Sequence, residues 1–499
     1  MINLLNMKVT NPNDINNIKI TKLAIYGASG GGQKVAETFK SFGIEIDCFV
    51  DSNEKLWGTE ILGLIVYPPN FLAGKKYNIV IASDAGFTTI KEKLKILGLS
   101  QSCVLREQVL FPFINEMLQE LTSEYKQCEN RFIDSNLKNN NRNNVFIELL
   151  EGYQLGGVEN WSYMVAKGLK GCGIRTEILS KKIVNYPHEW KEVLNDRFAG
   201  EYINYKKCIK ELVDYIRENL PCTIILNKQQ QLFYAGYILK KLYPGKIKIY
   251  SVIHSDLDAN YERTRYLDNN IDKVICVSKK IKAELNERYS ISNDKLYYKE
   301  SPVFFERREE ETIRNYTLDM NLPLRIAYGA RLEQVQKRAD LIIPLIQELE
   351  LKKVNYQLEI AGDGSYYSVI NQFIIENKLN KKVLLRGNLE HSKMGKFWRK
   401  ADIFINLSES EGVGISMLEA MFCGTVPIEF DISGSDEFIE NDVNGYVIPR
   451  CECEMMAKKI QYLSQNRQLL EIMGTKSRRI IETKCNYEEY IDYLVEILN

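Results

Sequence analysis

The chain of 499 residues is 45% hydrophobic and 26% charged, with 66 basic and 66 acidic side chains. That length exceeds one ordinary core and predicts about three domains, while the balanced charge supplies no global field for nucleic acid or a strongly anionic surface. The 11 cysteines are scattered without a CxxC pair, Met1 to Asn17 is polar rather than an export signal, and no run approaches the roughly 20 apolar residues that span a bilayer. A reducing cytoplasm fits best, with at most peripheral contact at the inner face of the membrane.

The first predicted strand, Lys22 to Tyr26, leads into Gly27-Ala-Ser-Gly-Gly-Gly32 and a helix from Gln33 to Phe42. A second strand, Ile46 to Val50, ends at Asp51. Glycines at the first turn and an acid after the second strand form a Rossmann-like opening, where a pyrophosphate meets the turn and a ribose meets the acid. Gly27, Gly30, Gly32 and Asp51 are the nucleotide candidates of this unit, although a clean G-x-G-x-x-G is missing. A strand over Tyr77 to Ala82 and a helix running to Leu97 complete it. Residues 1–118 read as this domain, and 119–144 as a helical, Asn-rich linker.

Strands are predicted at Val145 to Leu150, Thr176 to Leu179, Thr223 to Leu226, Ile247 to Ile253 and Lys273 to Val277, alternating with helices over 145–318. Gly152, Gly156, Gly157 and Glu159 follow the first of these, with Gly157 at a helix start suited to a phosphate. His254 stands at the carboxyl end of the strand 247–253. His188 and His391 have no such setting and read as surface residues. Asp256-Leu-Asp258 spells a DxD, a metal-holding pattern that also arises by chance. After the charged stretch 306–314, alternation resumes with strands at Arg325 to Tyr328, Gln357 to Ala361, Lys382 to Arg386, Ile403 to Asn406 and Val426 to Glu429. This third domain covers 319–482, and a terminal helix occupies 483–499. The alternation predicts parallel sheets with helices on both faces.

The most informative stretch is Ser408 to Ile428, where Glu411 and Glu419 bracket a glycine-containing helix start. Free backbone N–H groups over Gly412, Val413, Gly414 and Ile415 favour an anion such as a diphosphate. Glu419 falls among Met417, Leu418, Ala420 and Met421, where a carboxylate without a partner is costly. Upstream, Gly329-Ala-Arg331-Leu with Lys337, then Ile360 to Gly364, then Leu385 to Leu389, then Ala401-Asp402 each fall where a strand meets its loop.

These motifs, in this order from about Val145 to Asn499, resemble the retaining GT-B glycosyltransferases of family 4 with their E-x7-E pattern. The resemblance implies two Rossmann-like domains, here preceded by a smaller one, and a donor held without a metal or other cofactor. It assigns Arg331 and Lys337 to the donor diphosphate, Glu411 to the donor sugar and Glu419 to the ribose hydroxyls. Gly387, Asn388 and Leu389 border the base, Gly157 lies at the amino-domain glycine motif, and His254 lies near the sugar. The domains 145–318 and 319–482 become the acceptor and nucleotide-sugar domains, and the terminal helix crosses back to the former.

With a UDP-linked sugar as the expected co-substrate, the activity implied is transfer of a hexose or N-acetylhexosamine to a bacterial surface glycan, a lipid-linked acceptor or a protein. Lys299 to Val303 replaces the Pro-Asn-Gly turn of many relatives, and no glycine follows Lys337. The first domain is similar to the UDP-sugar-binding domain of sialic-acid-type sugar acetyltransferases, and it also offers an oligomer or docking surface. Two other classes stay open: an NAD-dependent sugar-nucleotide oxidoreductase or epimerase using Asp51, and a noncatalytic glycan-binding protein.

Overall fold

The computed structural model describes residues 22–132, 144–149, 156–180, 186, 188–198, 205–227, 231–303 and 314–499. Gly152, Leu150, residues 133–143 of the expected linker and the charged 306–313 lie outside them. The chain divides into two compact units. One is Met1–Val252 with Leu257–Val274 and Tyr289–Lys295, and the other is Ile253–Asp256 with Ile275–Arg288 and Leu296–Asn499.

Among the described residues the strands form three sheets. The first has the order Glu60–Ile61, Leu64–Tyr67, Cys48–Val50, Leu23–Tyr26, Asn78–Ile81, Cys103–Val104. Leu23–Tyr26 and Cys48–Val50 are buried at every position, as strands of a sheet covered on both faces must be. The helix expected from Gln33 begins at Gly30 and runs to Ser41. Gly32 permits this early start, because a Cβ there would lie 2.8 Å from the Gly27 carbonyl carbon. One hairpin was not anticipated. Glu60–Ile61 pairs antiparallel with Leu64–Tyr67 across Leu62 and Gly63, both at positive φ (52° and 76°), and the sequence carries a leucine where such a turn usually shows Asn or Asp.

A helix spans Arg106–Phe132 and continues into the stretch expected as a helical linker. Its Val109, Leu110, Phe111, Ile114, Met117 and Leu121 are buried. Phe111 meets Tyr234, Tyr237 and Tyr266 edge-on at 5.8, 5.3 and 5.8 Å between ring centres. The buried Arg263 donates to Glu107 (2.9 Å) and to Asp84 (3.1 Å). The first sheet is therefore packed into the same compact unit as the helix Asp258–Leu267.

The second sheet runs Leu296–Tyr298, Lys273–Cys276, Ile247–Ile253, Cys222–Leu226, Asn144–Leu149, Thr176–Ser180, Leu194–Asn195. The third runs Val383–Gly387, Tyr356–Ala361, Leu324–Gly329, Ile403–Asn406, Val426–Phe430, Tyr446–Ile448, with every pair parallel. Leu324, Ile326, Leu358, Ile403 and Ile428 from this sheet join Leu345, Leu349, Met456 and Ile460 from helices in one core. Leu324–Gly329 pairs with Tyr356–Ala361 on one side and Ile403–Asn406 on the other. Strand order reverses there, and the carboxyl ends of such strands open a crevice. Gly329 to Arg331 leaves one lip of it and Leu407 to Gly414 the other. The terminal helix, Tyr487–Leu498, falls within the expected 483–499 and is capped by Asn486 Oδ1 accepting from Glu489 N (3.0 Å).

Candidate active site

The fully buried strand Ile403–Asn406 delivers the loop 407–414 to the crevice, and the helix Ile415–Phe422 carries it away. Local hydrogen bonds hold the loop. Ser408 N donates to Asn406 Oδ1 (3.1 Å), Glu409 N donates to Gln336 O (2.8 Å), and Gln336 Nε2 donates to Ser410 O (3.2 Å). Arg338, in a left-handed conformation (φ 48°), bonds Asp340 and also reaches Glu409 Oε2 at 3.0 Å. The segment 331–338 is thus tied to the segment 408–411 by both backbone and charge.

At the centre of that tie, Lys337 Nζ forms an ion pair with Glu411 Oε1, which also accepts from Ser408 Oγ at 2.8 Å. The two charged side chains keep only 18% and 13% of their exposure. A charge-assisted bond in so little water is stronger than one on an open surface. Arg331 is 46% exposed, and its ion pair is with Glu333 at 3.3 Å rather than with either member of this pair.

Gly412 to Gly414 are buried and lead into the helix, with Gly414 as its cap residue and Ile415 as its first. Gly412 is required by packing, since a Cβ there would sit 2.6 Å from Val277 Cγ2 and 2.7 Å from the His254 carbonyl carbon. Asp256 N donates to Glu411 O at 3.3 Å. The backbone of His254 accordingly lies beside that of the Glu411 loop. The carboxylate of Asp256 pairs with Lys280 (2.8 Å), and that of Asp258 accepts from Thr88 (2.7 Å) and Tyr289 (3.0 Å). Among the described residues no cluster of three or more His, Cys, Asp and Glu is arranged to hold a metal.

Glu419 is 7% exposed, and each of its oxygens has a partner: His391 Nε2 at 3.0 Å and Trp398 Nε1 at 3.2 Å. This corrects the surface reading of His391, which opens the helix His391–Lys400 and turns to the carboxylate one helix away. The exposed His188 is as expected. Gly387 ends its strand at φ 63°, with its carbonyl accepting from Gly362 N (2.8 Å), and is followed by the exposed Asn388 and half-buried Leu389. Gly157 is exposed and begins the helix Gly157–Gly171. In the first sheet, Gly27 adopts φ 109°, Gly30 starts its helix, and the two Asp51 oxygens accept from Ala28 N (2.7 Å) and Asn53 N (2.8 Å).

Sequence reasoning passed over three residues that shape this site. Asn406 and Ser408 appeared only as the end of a strand and the start of a loop. Glu429 is fully buried behind them, and its presence in the otherwise apolar Val-Pro-Ile-Glu-Phe strand was the available signal. Burial raises its carboxyl to about 7, against the lowering effect of Ser435 and Asn406, with the Glu411 and Asp431 charges adding to the rise.

Residues 310–480 match the family model described as glycosyl transferases group 1. Residues 19–105 match a second model, described as C2185-like, N-terminal. A poly(ribitol-phosphate) alpha-N-acetylglucosaminyltransferase of Staphylococcus aureus is 28% identical over 268 residues, 50% of each chain. An uncharacterized glycosyltransferase of Methanocaldococcus jannaschii is 28% identical over 227 residues, 46% of this chain and 59% of that one. The GtfA subunit of a UDP-N-acetylglucosamine–peptide N-acetylglucosaminyltransferase of Streptococcus agalactiae is 26% identical over 273 residues, again 50% of each. The chain thus spans between half and three fifths of the length of these relatives.

Among solved structures, TarM superposes with a TM-score of 0.58 at 15% identity, covering 73% of this chain and 100% of TarM. HepE of Anabaena with UDP and glucose gives 0.58 at 16%, covering 72% and 99%. The fold is α/β and of the GT-B type, with a smaller Rossmann-like unit in front.

Proposed function

We propose that this chain is a retaining, metal-independent glycosyltransferase of family 4 that moves a hexose or N-acetylhexosamine from a UDP-sugar to a bacterial glycan, lipid-linked or protein acceptor. The observation that carries the reading is the Lys337–Glu411 pair, desolvated and pinned at the point where the strand order of the third sheet reverses. A purely structural pair has no need of that address. The named activities of the S. aureus and S. agalactiae relatives, and the UDP and glucose in HepE, favour a UDP-linked donor.

On this reading the diphosphate lies against the N–H groups of Gly412 to Ile415, with the positive end of the helix Ile415–Phe422 behind them. Lys337 and Arg331 offset the negative charge that builds on the leaving diphosphate as the sugar becomes oxocarbenium-like. The acceptor hydroxyl then attacks C1 from the face that the diphosphate leaves, and its proton passes to the departing diphosphate oxygen. Glu411 and His254 border the sugar. Each Glu419 oxygen has a second lone pair beyond the one used by His391 or Trp398, which suffices for the two ribose hydroxyls. The amino-terminal unit is accessory.

The test is titration calorimetry with UDP, GDP, ADP and NAD, followed by hydrolysis of UDP-glucose and UDP-N-acetylglucosamine with and without EDTA, the released anomer being read by NMR. UDP binding, EDTA-insensitive hydrolysis and a retained anomer are expected. Failure of UDP to bind, together with no hydrolysis of either donor, rejects the activity; an inverted anomer rejects retention, and loss of hydrolysis in EDTA rejects metal independence.

A further inference from the structure

Behind the loop that presents Glu411 stands a carboxylic acid that the proposed chemistry does not use. Glu429 has no exposed surface, lies on the strand Val426–Phe430, and is the register partner of Asn406 on the neighbouring strand. Its Oε2 accepts from Asn406 Nδ2 at 3.1 Å. Its Oε1 makes no hydrogen bond of good geometry among the described residues; the nearby Ser435 hydroxyl, which lowers the carboxyl, bonds Phe430 O (3.4 Å) and Ile432 N (3.3 Å). A buried carboxyl satisfied on one oxygen only is destabilising relative to an apolar residue of the same shape, so its place in an apolar strand calls for a return elsewhere.

That return is visible in the bonds that lead away from it. Asn406 is 8% exposed; while its Nδ2 donates to Glu429, its Oδ1 accepts from Ser408 N (3.1 Å). Ser408 is 1% exposed, and its Oγ donates to Glu411 Oε1 (2.8 Å), the oxygen that Lys337 holds. The orientation of the Asn406 amide decides whether its carbonyl or its NH2 faces the Ser408 N–H, and Glu429 Oε2, an acceptor, selects the orientation that places the carbonyl there.

We propose that Glu429 is a positioning residue for Glu411, acting through Asn406 and Ser408 to set the start of the donor loop; the inference rests on the glycosyltransferase reading. Only the hydrogen-bond acceptor at Oε2 is required, not the charge. The raised carboxyl agrees with this, since the neutral acid keeps an acceptor toward Asn406 and avoids repulsion from Glu411 and Asp431, the two charged groups that face it.

The experiment compares Glu429→Ala with Glu429→Gln in donor hydrolysis, separating kcat from donor KM, and in crystal structures of both. In Glu429→Ala, kcat should fall about tenfold with KM near the wild-type value, because displaced reacting groups lower the rate without removing donor contacts. Glu411 should also leave Ser408 Oγ. Glu429→Gln should restore both. A Glu429→Ala enzyme with wild-type kcat and Glu411 in place overturns the proposal, and so does a Glu429→Gln enzyme as impaired as the alanine variant. If Glu429→Ala does not fold, Ser408→Ala cuts the same chain one bond from Glu411 without stranding a buried partner. It should then show the same kcat loss, and unchanged kcat refutes the relay. If the wild type hydrolyses no sugar nucleotide, the proposed activity fails, while the position of Glu411 in the crystals still decides the relay.

Discussion

Replacing Lys337 by Met keeps most of the length of the unbranched side chain and removes its charge, leaving Glu411 with Ser408 Oγ as its remaining partner. Glu411 is only 13% exposed, so water replaces the ammonium poorly. Stripping one member from a fully buried pair costs about 3–5 kcal/mol, and exposed pairs are worth about 0–1. A pair at 13% and 18% exposure falls between these limits, which places Lys337→Met at about 2 kcal/mol of lost stability. Glu411→Gln should cost a similar amount, by leaving the ammonium without its counter-ion.

The double variant, with no stranded charge, should lose about 2 kcal/mol rather than the additive 4, a coupling well beyond the roughly 0.5 kcal/mol scatter of independent sites. Urea denaturation of the four proteins, with m unchanged, reads the cycle. Additive losses would refute the claim that the two side chains act as one desolvated unit. Activity supplies a second reading: each single variant should lose about 10²–10³ in kcat, the scale of removing one fixed charge-stabilising group. In the double variant the stability should fall no further than in either single variant, and the activity should stay at least as low as in either. Activity returning toward wild type in the double variant would assign the pair to the fold alone.

Three further outcomes follow from other contacts. Asp402 is fully buried and bonded by Arg325 (2.7 Å) and by Thr317 N (3.0 Å). Burial alone would raise its carboxyl, and these partners outweigh it to hold the group below its usual 3.8; its stabilisation is therefore complete above the carboxylate range and lost as pH falls through it toward the lowered value. Asp402→Asn should flatten the acid side of the Tm-against-pH curve below about pH 5, and an unchanged acid limb would contradict the assignment. Gly412→Ala should destabilise by about 1–3 kcal/mol by pushing the loop from His254 and Val277, whereas Gly414→Ala, whose Cβ finds Met417 Cβ at 3.4 Å, should be tolerated far better; equal melting temperatures would contradict the packing argument. His391→Ala removes one partner of Glu419 and should weaken UDP binding about two- to tenfold by calorimetry, the range of one ordinary hydrogen bond, while unaltered affinity would show that His391 does not steady the carboxylate proposed to meet the ribose.

Sequence by itself determined the α/β class, most strands of the second and third sheets and the order of the loops at their carboxyl ends. Buried parallel strands must be apolar on both faces, and such runs are visible without a partner in view. Ile247–Ile253, Ile403–Asn406 and the terminal helix Tyr487–Leu498 fall where the pattern places them. The hairpin around Leu62 and Gly63 escaped because its turn residues are atypical; the helix Arg106–Phe132 runs into the stretch expected as a helical linker, and only the folded unit shows what covers its apolar face.

Only tertiary structure decided which charges meet. Lys337 and Glu411 are 74 positions apart, His391 and Glu419 are 28 apart, and Asn406 and Glu429 are 23 apart. Hydrophobic periodicity records how each segment is covered, whereas an ion pair or a hydrogen bond depends on the register between strands and the rise of a helix over a loop, which no single segment encodes.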